Sequence, residues 1–477
     1  MSAMPTRTPR WIPAAARLLL RIFFRDVEVA GAERVPRGRP LVVVANHVNG
    51  LVDALLMMGV LPVAPRFLAK STLWKIPVLA QLMDAARVLP VYRRQDEPGG
   101  GAARAAGNEE TFAACYDELA AGGAVALFPE GTSHNEPALQ PLKTGAARIA
   151  LGAAARAARP GQVPDGSSGV AILPVGHTFD ARGRFRSRAL VAIGEPLDAG
   201  PELALYGTDP EAAVRQLTSR IEQALHEVTL NYATWDEARL LARAADLYAR
   251  PGLDVPHRRT LEETFAIRRA MIDGYRDLKA SHPERTAAVA EAVRRYDRLL
   301  RALHLRDDQV AAAYPPLPVF RFAGRMLLRL AIHLPLAFVG SLLNLVPFYL
   351  IRLVARTARE GDQQATLKVF PGLAIYPLAW LAEAWAAGRY LGGWAGVWLG
   401  PGVFLAAPLA GYAAIRFHER RERFAREARA SLLLRTRKRI GDELRERREE
   451  VYRGVAGLAE IRDQATPAPR RPSYTTG

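Results

Sequence analysis

Leu41 to Met58 reads LVVVANHVNGLVDALLMM. Its first five residues, Leu41 to Ala45, form a continuous apolar run with the length and β-branched content of a strand buried on both faces. A short polar connection follows, and from about Asn49 or Gly50 the apolar spacing fits a buried helix carrying Asp53 in its first turn or just beyond. Strand, connection and helix in that order are the building unit of an α/β domain. Residues six apart on one continuous helix point about 240° apart, so His47 and Asp53 meet only if the histidine lies outside the helix. A carboxylate on one imidazole nitrogen fixes the tautomer, raises the basicity of the other nitrogen and stabilises the imidazolium once a proton is taken. Read alone, a loop histidine beside a first-turn carboxylate is commonplace.

The same alternation of short apolar runs and longer helix-like segments extends from about Val27 to Leu197. Ala124 to Phe128, Val170 to Val175 and Ala189 to Ile193 read as further buried strands; Val52 to Val60, Asn108 to Ala121 and Gly145 to Arg156 read as helices. The expected fold is an α/β domain with a largely buried sheet flanked by helices, over residues 27–200. Ahead of it, within residues 1–26, Trp11, Leu18, Leu19, Ile22 and Phe23 share a helical stripe beside Arg17, Arg21 and Arg25. That pattern suits an amphipathic helix lying in a headgroup layer, or a first helix packed on the domain behind it.

Residues 201–318 are charged, alanine-rich and helical in period, with no reactive constellation. Residues 319–415 are abruptly apolar and read as membrane-embedded helices, since a bilayer core takes about 20 predominantly apolar residues. Residues 369–387 and 391–415 suit a hairpin turning at Gly388-Arg389-Tyr390; 330–351, interrupted by His333, Pro335, Asn344 and Pro347, suits a spanning or re-entrant segment. Residues 416–477 are dense in arginine and glutamate and read as a long solvated helix with a disordered Pro/Ser/Thr-rich end. Arginines directly beside the apolar region mark the cytoplasmic side.

The formal net charge is +17 and there is one cysteine, Cys115. The charge excess suits any anionic partner, from nucleic acid to lipid headgroups to phosphorylated small molecules. Stacking aromatics interleaved with the basic residues are not apparent and the tail arginines alternate with glutamates, so nucleic acid is not expected as a partner. A single cysteine excludes an intrachain disulfide and a thiolate cluster, and fits a reducing compartment. Cys115 falls in a helix without a neighbouring histidine and reads as a packing residue.

Four blocks now occur in order: Asn46-His47 with Asp53; Ala69-Lys70 with Leu89-Pro-Val-Tyr-Arg93; Phe128-Pro-Glu-Gly-Thr132 with Lys143; and Ile172-Leu-Pro-Val175. Over roughly Val27 to Leu197 the sequence thereby resembles the glycerolipid acyltransferase superfamily, whose members acylate glycerol 3-phosphate and lysophosphatidate. Five residues separate His47 from Asp53, where the superfamily usually has four. With the apolar segments that follow the domain, this spacing is most similar to the yeast-type glycerol-3-phosphate/dihydroxyacetone-phosphate acyltransferases.

The resemblance implies an enzyme that moves an acyl group from a thioester to a hydroxyl of a glycerophosphate acceptor, glycerol 3-phosphate first, in phospholipid biosynthesis. His47 takes the hydroxyl proton and Asp53 orients it, so no enzyme nucleophile is needed. Arg93, with Lys70 and Lys143, supplies cations for a phosphate, for which a guanidinium grips two oxygens at once. Glu130 is expected to accept hydrogen bonds from a substrate hydroxyl or from Arg93, with Gly131 allowing close approach and Thr132 continuing the loop. Asn46, Asn49, Pro129 and Pro174 are supporting residues. Arg94 is a possible assistant to Arg93, and His134 a second base only if it approaches His47. No cofactor and no metal are expected, and the donor is acyl-CoA or an acyl carrier protein. The expected location is the membrane, with the catalytic domain and tail on its cytoplasmic side. Lysophosphatidate or another lysophospholipid is the alternative acceptor; a non-catalytic lipid-binding membrane scaffold is the alternative of another class.

Overall fold

The computed structural model describes residues 8–75, 77–93, 101–157, 169–249, 259–311, 316–357 and 363–465. Arg94 and the Pro/Ser/Thr-rich end lie outside these. The chain divides into two compact units, the first comprising residues up to Ala233 together with Thr260–Phe265 and Ala358–Val369.

Among the described residues the first unit is built on eight strands: β1 (Asp26–Ala30), β2 (Leu41–Ala45), β3 (Arg66–Lys70), β4 (Leu89–Val91), β5 (Ala124–Leu127), β6 (Ala171–Phe179), β7 (Arg188–Ile193) and β8 (Leu197–Asp198). Their order is β1-β7-β6-β2-β5-β3-β4, with β8 added to β6. All pairings are parallel except those of β6 with β7 and β8. β2 and β5 are buried at every position, as continuous apolar runs require in a sheet covered on both faces. β1, β3, β4 and β8 were not legible as strands: β1 and β4 are the outer strands, β3 lies next to β4, β8 has two residues, and in all of them partly exposed residues outnumber the few buried ones.

The α-helices that accompany the sheet among the described residues are α1 (Trp11–Phe23), α2 (Leu51–Val60), α3 (Pro77–Ala85), α4 (Gly101–Ala120), α5 (Gly145–Ala157), α6 (Gly200–Thr208) and α7 (Pro210–Val228). α4, α5 and α7 enclose one core with Val42, Val44, Val125 and Ile172, to which Leu217, Ile221 and Leu225 of α7 contribute fully buried side chains. Composition groups α6 and α7 with the charged helical region; packing puts them on the sheet. The reason is amphipathic: α7 carries its charges outward and an apolar stripe inward. Cys115 of α4 is part of that core, where burial pushes its thiol up to about 12, so no thiolate nucleophile is available there.

α1 divides its apolar residues between two directions. Ala16, Leu20 and Phe23 are buried, whereas Trp11, Leu18 and Ile22 are more than half exposed, at 56%, 59% and 53%, beside the exposed Arg17 and Arg21. The single stripe expected from the sequence therefore separates, with Phe23 turning inward.

The second unit holds α8 (Trp235–Tyr248), most of α9 (Leu261–Ser281), α10 (Pro283–Ala302), α11 (Asp307–Ala311), α12 (Pro316–Leu343), α13 (Leu345–Ala355), most of α14 (Gln363–Leu391), α15 (Gly393–Thr436) and α16 (Lys438–Ala465). Tyr296 and Leu300 of α10 centre a core shared with α8 and α16. The buried Asp307 there accepts from the Tyr296 hydroxyl at 2.9 Å and from Arg448 Nε at 3.0 Å, pinning α16 to α10 and α11. A buried carboxylate needs such partners to stay charged.

Among the described residues three helices are long and apolar enough to cross a membrane, within Gly324–Leu343, Thr366–Tyr390 and Gly396–Thr436. The expected segment 330–351 is not one helix. It breaks at Asn344, whose side chain folds back on the Gly340 carbonyl and also donates to Ala407 O, while Trp380 Nε1 donates to its oxygen. Pro347, with no N–H to give, falls in the first turn of α13 and suits a helix start there. One asparagine thus ties α12, α14 and α15 together, the use to which polar side chains are put where no water competes. The hairpin turn lies at Gly392 rather than at Gly388 to Tyr390, and α15 continues unbroken from its apolar part into the arginine-rich part.

Candidate active site

The residues singled out by the four blocks gather at the carboxyl ends of the parallel strands, where open α/β sheets place their sites. His47 lies two positions beyond β2, Lys70 closes β3, Arg93 follows β4, and Glu130 and Gly131 follow β5. Residues distant in sequence converge because β2, β5, β3 and β4 are neighbours and run the same way.

His47 and Asp53 meet. Nδ1 of His47 is 3.0 Å from Asp53 Oδ2, and the carboxylate is fully buried while the imidazole keeps some exposure. The same Oδ2 accepts the backbone N–H groups of Val48 at 2.9 Å and Asn49 at 2.7 Å. Three donors on one oxygen, at the N-terminal turn of α2, stabilise a carboxylate and fix its direction. Because Asp53 only accepts, Nδ1 of His47 carries the proton and Nε2 keeps the lone pair. No described residue hydrogen-bonds that Nε2. The imidazole is also stacked face to face on Phe128, with centroids 3.9 Å apart and planes within 9°. Hydrogen bond and stack together leave the ring one orientation.

Between His47 and Asp53 the chain reverses at Gly50. This residue caps the start of α2 with φ 58° and ψ −136°, a conformation open to glycine and strained for any residue with a Cβ. This local reversal puts the Val48 and Asn49 amides over the carboxylate of a residue that follows them by five and four positions respectively. Glycine has no side chain to cap the helix, and the first helical amide, Leu51 N–H, is satisfied instead by Thr366 Oγ1 at 3.1 Å. Substituting Gly50→Ala costs roughly 1–3 kcal/mol of strain at this point. The expected result is a folded protein whose turnover drops about tenfold with little change in KM, read from steady-state kinetics.

Glu130 is engaged by the chain on both carboxylate oxygens. Its Oε1 accepts the His47 backbone N–H at 2.7 Å, and its Oε2 accepts the Gln140 N–H at 2.7 Å and faces His134 Nε2 in a short contact. Arg93 reaches Gly131 O at 2.7 Å instead of the carboxylate. Glu130 is fully buried and serves the chain itself, tying the turn after β2 to the loop after β5. His134 is likewise not a second base. Its Nδ1 accepts the Glu136 N–H at 3.1 Å, its Nε2 faces Glu130, and its backbone N–H donates to His47 O.

Gly131, with φ 78°, directs its carbonyl at Arg93, and Lys143 packs beside it. Lys70 and Lys143 are exposed and Arg93 is half-buried, so three cations line the ends of β3, β4 and the loop after β5. Thr132 is exposed and its hydroxyl bonds locally to Ser133 O. Pro129 is buried and its carbonyl accepts the Lys143 N–H at 2.7 Å. Asn46 and His177 exchange two hydrogen bonds: His177 N–H to Asn46 Oδ1 at 2.7 Å, and Asn46 Nδ2 to His177 O at 3.2 Å. Asn49 Nδ2 donates to Arg182 O, and Pro174 lies in β6 opposite Val44. Phe128, His177 and Thr366 were not assigned roles from the sequence. Phe128 stands at the head of the third block and His177 two residues past the fourth; Thr366, 315 positions from its partner, carries no sequence signal.

Residues 26–178 match the family described as Acyltransferase, and residues 240–463 match the Glycerol-3-phosphate acyltransferase 2 C-terminal domain. The two matched stretches follow one another along the chain. The family match spans all four blocks, as the sequence resemblance implied. The chain is 31% identical over 268 residues to glycerol-3-phosphate O-acyltransferase 2 of Saccharomyces cerevisiae, covering 55% of this chain and 34% of that protein. It is 26% identical over 323 residues to glycerol-3-phosphate O-acyltransferase 1 of the same yeast, covering 63% and 40%. To an uncharacterized acyltransferase of Schizosaccharomyces pombe it is 26% identical over 377 residues, covering 61% and 54%. The matches thus span between a third and about half the length of these relatives.

Proposed function

We propose that this chain is a membrane-bound O-acyltransferase. It transfers a fatty acyl group from an acyl thioester to a hydroxyl of a glycerophosphate, glycerol 3-phosphate first, in phospholipid synthesis. The observation that carries the reading is the oriented His47: proton on Nδ1 toward a buried carboxylate, ring fixed against Phe128, and Nε2 left with its lone pair. As the acceptor oxygen attacks the thioester carbonyl, Nε2 takes its proton and Asp53 balances the imidazolium. Collapse of the tetrahedral adduct expels the thiolate, which the imidazolium reprotonates. The cycle balances without an enzyme nucleophile or a cofactor.

Arg93, Lys70 and Lys143 receive the acceptor phosphate, beside Gly131 and Thr132. Glu130 acts as a positioning residue that holds the His47 backbone. The exposed Trp11, Leu18 and Ile22 of α1 lie in the headgroup layer with Arg17 and Arg21 on lipid phosphates. The catalytic unit and the tail lie on the cytoplasmic side, where arginines flank the apolar part of α15.

The test is an acyl-transfer assay of the full-length chain in lipid vesicles, pairing acyl-CoA and acyl carrier protein donors with glycerol 3-phosphate, dihydroxyacetone phosphate and lysophosphatidate. Fastest turnover with glycerol 3-phosphate supports the reading. Preference for lysophosphatidate replaces the acceptor, and absence of transfer with lipid binding intact favours the scaffold. Arg93→Ala is expected to raise KM for the phosphorylated acceptor roughly 10- to 100-fold, the worth of one or two charge-assisted hydrogen bonds. Arg93→Lys recovers little of it, because an ammonium does not reproduce the two-pronged grip.

A further inference from the structure

Asp53 has a second oxygen, and the His47 mechanism leaves it unused. Oδ1 is buried and carries no hydrogen bond among the described residues. Nδ1 of His177 lies 3.6 Å away, and both side chains are fully buried. From this we infer that His177 is a positioning residue of the His47–Asp53 couple, turning its Nδ1–H to Asp53 Oδ1 so that the carboxylate is held between two imidazoles. The inference rests on the general-base reading above.

The tautomer follows from the neighbours. Nδ1 of His177 faces two acceptors, Asp53 Oδ1 and the Asn46 carbonyl at 3.3 Å, so it carries the proton. Nε2 has no partner among the described residues, which is tolerable for a lone pair and costly for a buried N–H. Desolvation holds the imidazole below its ordinary range, Asp53 and the Asn46 carbonyl pull it upward, and His47 pushes it down. A neutral ring suits the role. Its N–H dipole aligns Oδ1, whereas an imidazolium there would neutralise the charge on which His47 depends.

Placement is equally defined. The paired backbone and side-chain bonds between Asn46 and His177 lock β6 to the residue immediately before His47. Phe128, stacked on His47, also borders the His177 ring at 6.5 Å, so one aromatic side chain spaces both imidazoles. At 3.6 Å the contact is slightly beyond hydrogen-bond length. Such contacts tighten as substrate completes a site. Asp53 then has one donor on Oδ1 and three on Oδ2, and its plane is fixed from both sides.

The experiment measures kcat, KM and the pH profile of kcat/KM for acyl transfer from acyl-CoA to glycerol 3-phosphate, using the full-length chain in vesicles. His177→Leu is expected to lower kcat roughly tenfold, equivalent to about 1.4 kcal/mol, the low end for a hydrogen bond to a charged group. KM should hold. The acid limb of kcat/KM should move to higher pH, because a carboxylate without its second donor concentrates charge toward His47 and makes it more basic. His177→Asn, whose amide nitrogen takes the place of Nδ1, should recover most of kcat; His177→Gln, which reaches the Nε2 position instead, should not. A His177→Leu variant with unchanged kcat and acid limb overturns the inference, as does an Asn variant no better than Gln, and that comparison decides if the leucine variant does not fold. His47→Ala runs in parallel. Its inactivity beside an unaffected His177→Leu sinks this inference alone, whereas full turnover by His47→Ala removes the general-base reading and this inference with it.

Discussion

Replacing His47 by alanine is expected to lower turnover by at least about 10²-fold, the lower range for loss of a positioned general base. The size follows from the geometry. Among the described residues no second base stands by, since His134 has both ring nitrogens engaged and His177 is buried behind the carboxylate. Cys115 is in the core with its thiol pushed up to about 12, so no covalent route replaces the lost base. KM for the acceptor should change little, because Arg93 and the two lysines remain. The measurement is steady-state transfer by purified variants of matched thermal stability. A folded His47→Ala protein with near-normal turnover would end the mechanism.

Asp53→Asn should cost on the order of 10²- to 10⁴-fold in turnover, the range for a histidine that loses the carboxylate fixing its tautomer. Asparagine retains one oxygen, so the Val48 and Asn49 amides can keep an acceptor and the turn into α2 survives. What goes is charge. The imidazolium formed in the transition state is then balanced by a neutral amide, or the side chain flips and its NH₂ drives His47 into the wrong tautomer. Asp53→Ala is the poorer probe, since it strands two buried N–H groups at about 1–3 kcal/mol each and confuses misfolding with chemistry. Comparing the asparagine variant's acid limb and melting temperature with wild type separates the two. Wild-type turnover by Asp53→Asn would mean that the carboxylate only builds the turn.

Both predictions concern residues legible in the sequence, and so was much of the fold around them. β2 and β5 are continuous apolar runs because the sheet is covered on both faces, and a run of that kind has few other readings. The strands that escaped are the outer strands β1 and β4, their neighbour β3 and the two-residue β8. In them partly exposed residues outnumber buried ones, charged residues enter β1, β3 and β8, and the pattern weakens. In the apolar region the sequence marked the helices well, while single residues set their ends: segment 330–351 breaks at Asn344, one of its interruptions, and the turn falls at Gly392 instead of Gly388 to Tyr390. One side chain's hydrogen bonds settle such points, and window averages of hydropathy do not register them.

For the site, the sequence by itself determined the order of the four blocks and the five-residue gap between His47 and Asp53. It also required the histidine to lie outside α2, because helical periodicity forbids any other meeting. Tertiary structure decided which partners each of these residues meets. Glu130, grouped by type with ligands of substrate, is consumed by the His47 amide, Gln140 and His134. His177, outside the blocks, stands behind Asp53, and Thr366 closes the N-terminus of α2 from a distant segment. The physical reason is the same in each case. Residue type and local spacing fix what a group can donate or accept, whereas its actual partner depends on which strands become neighbours, and that is set by burial over the whole sheet.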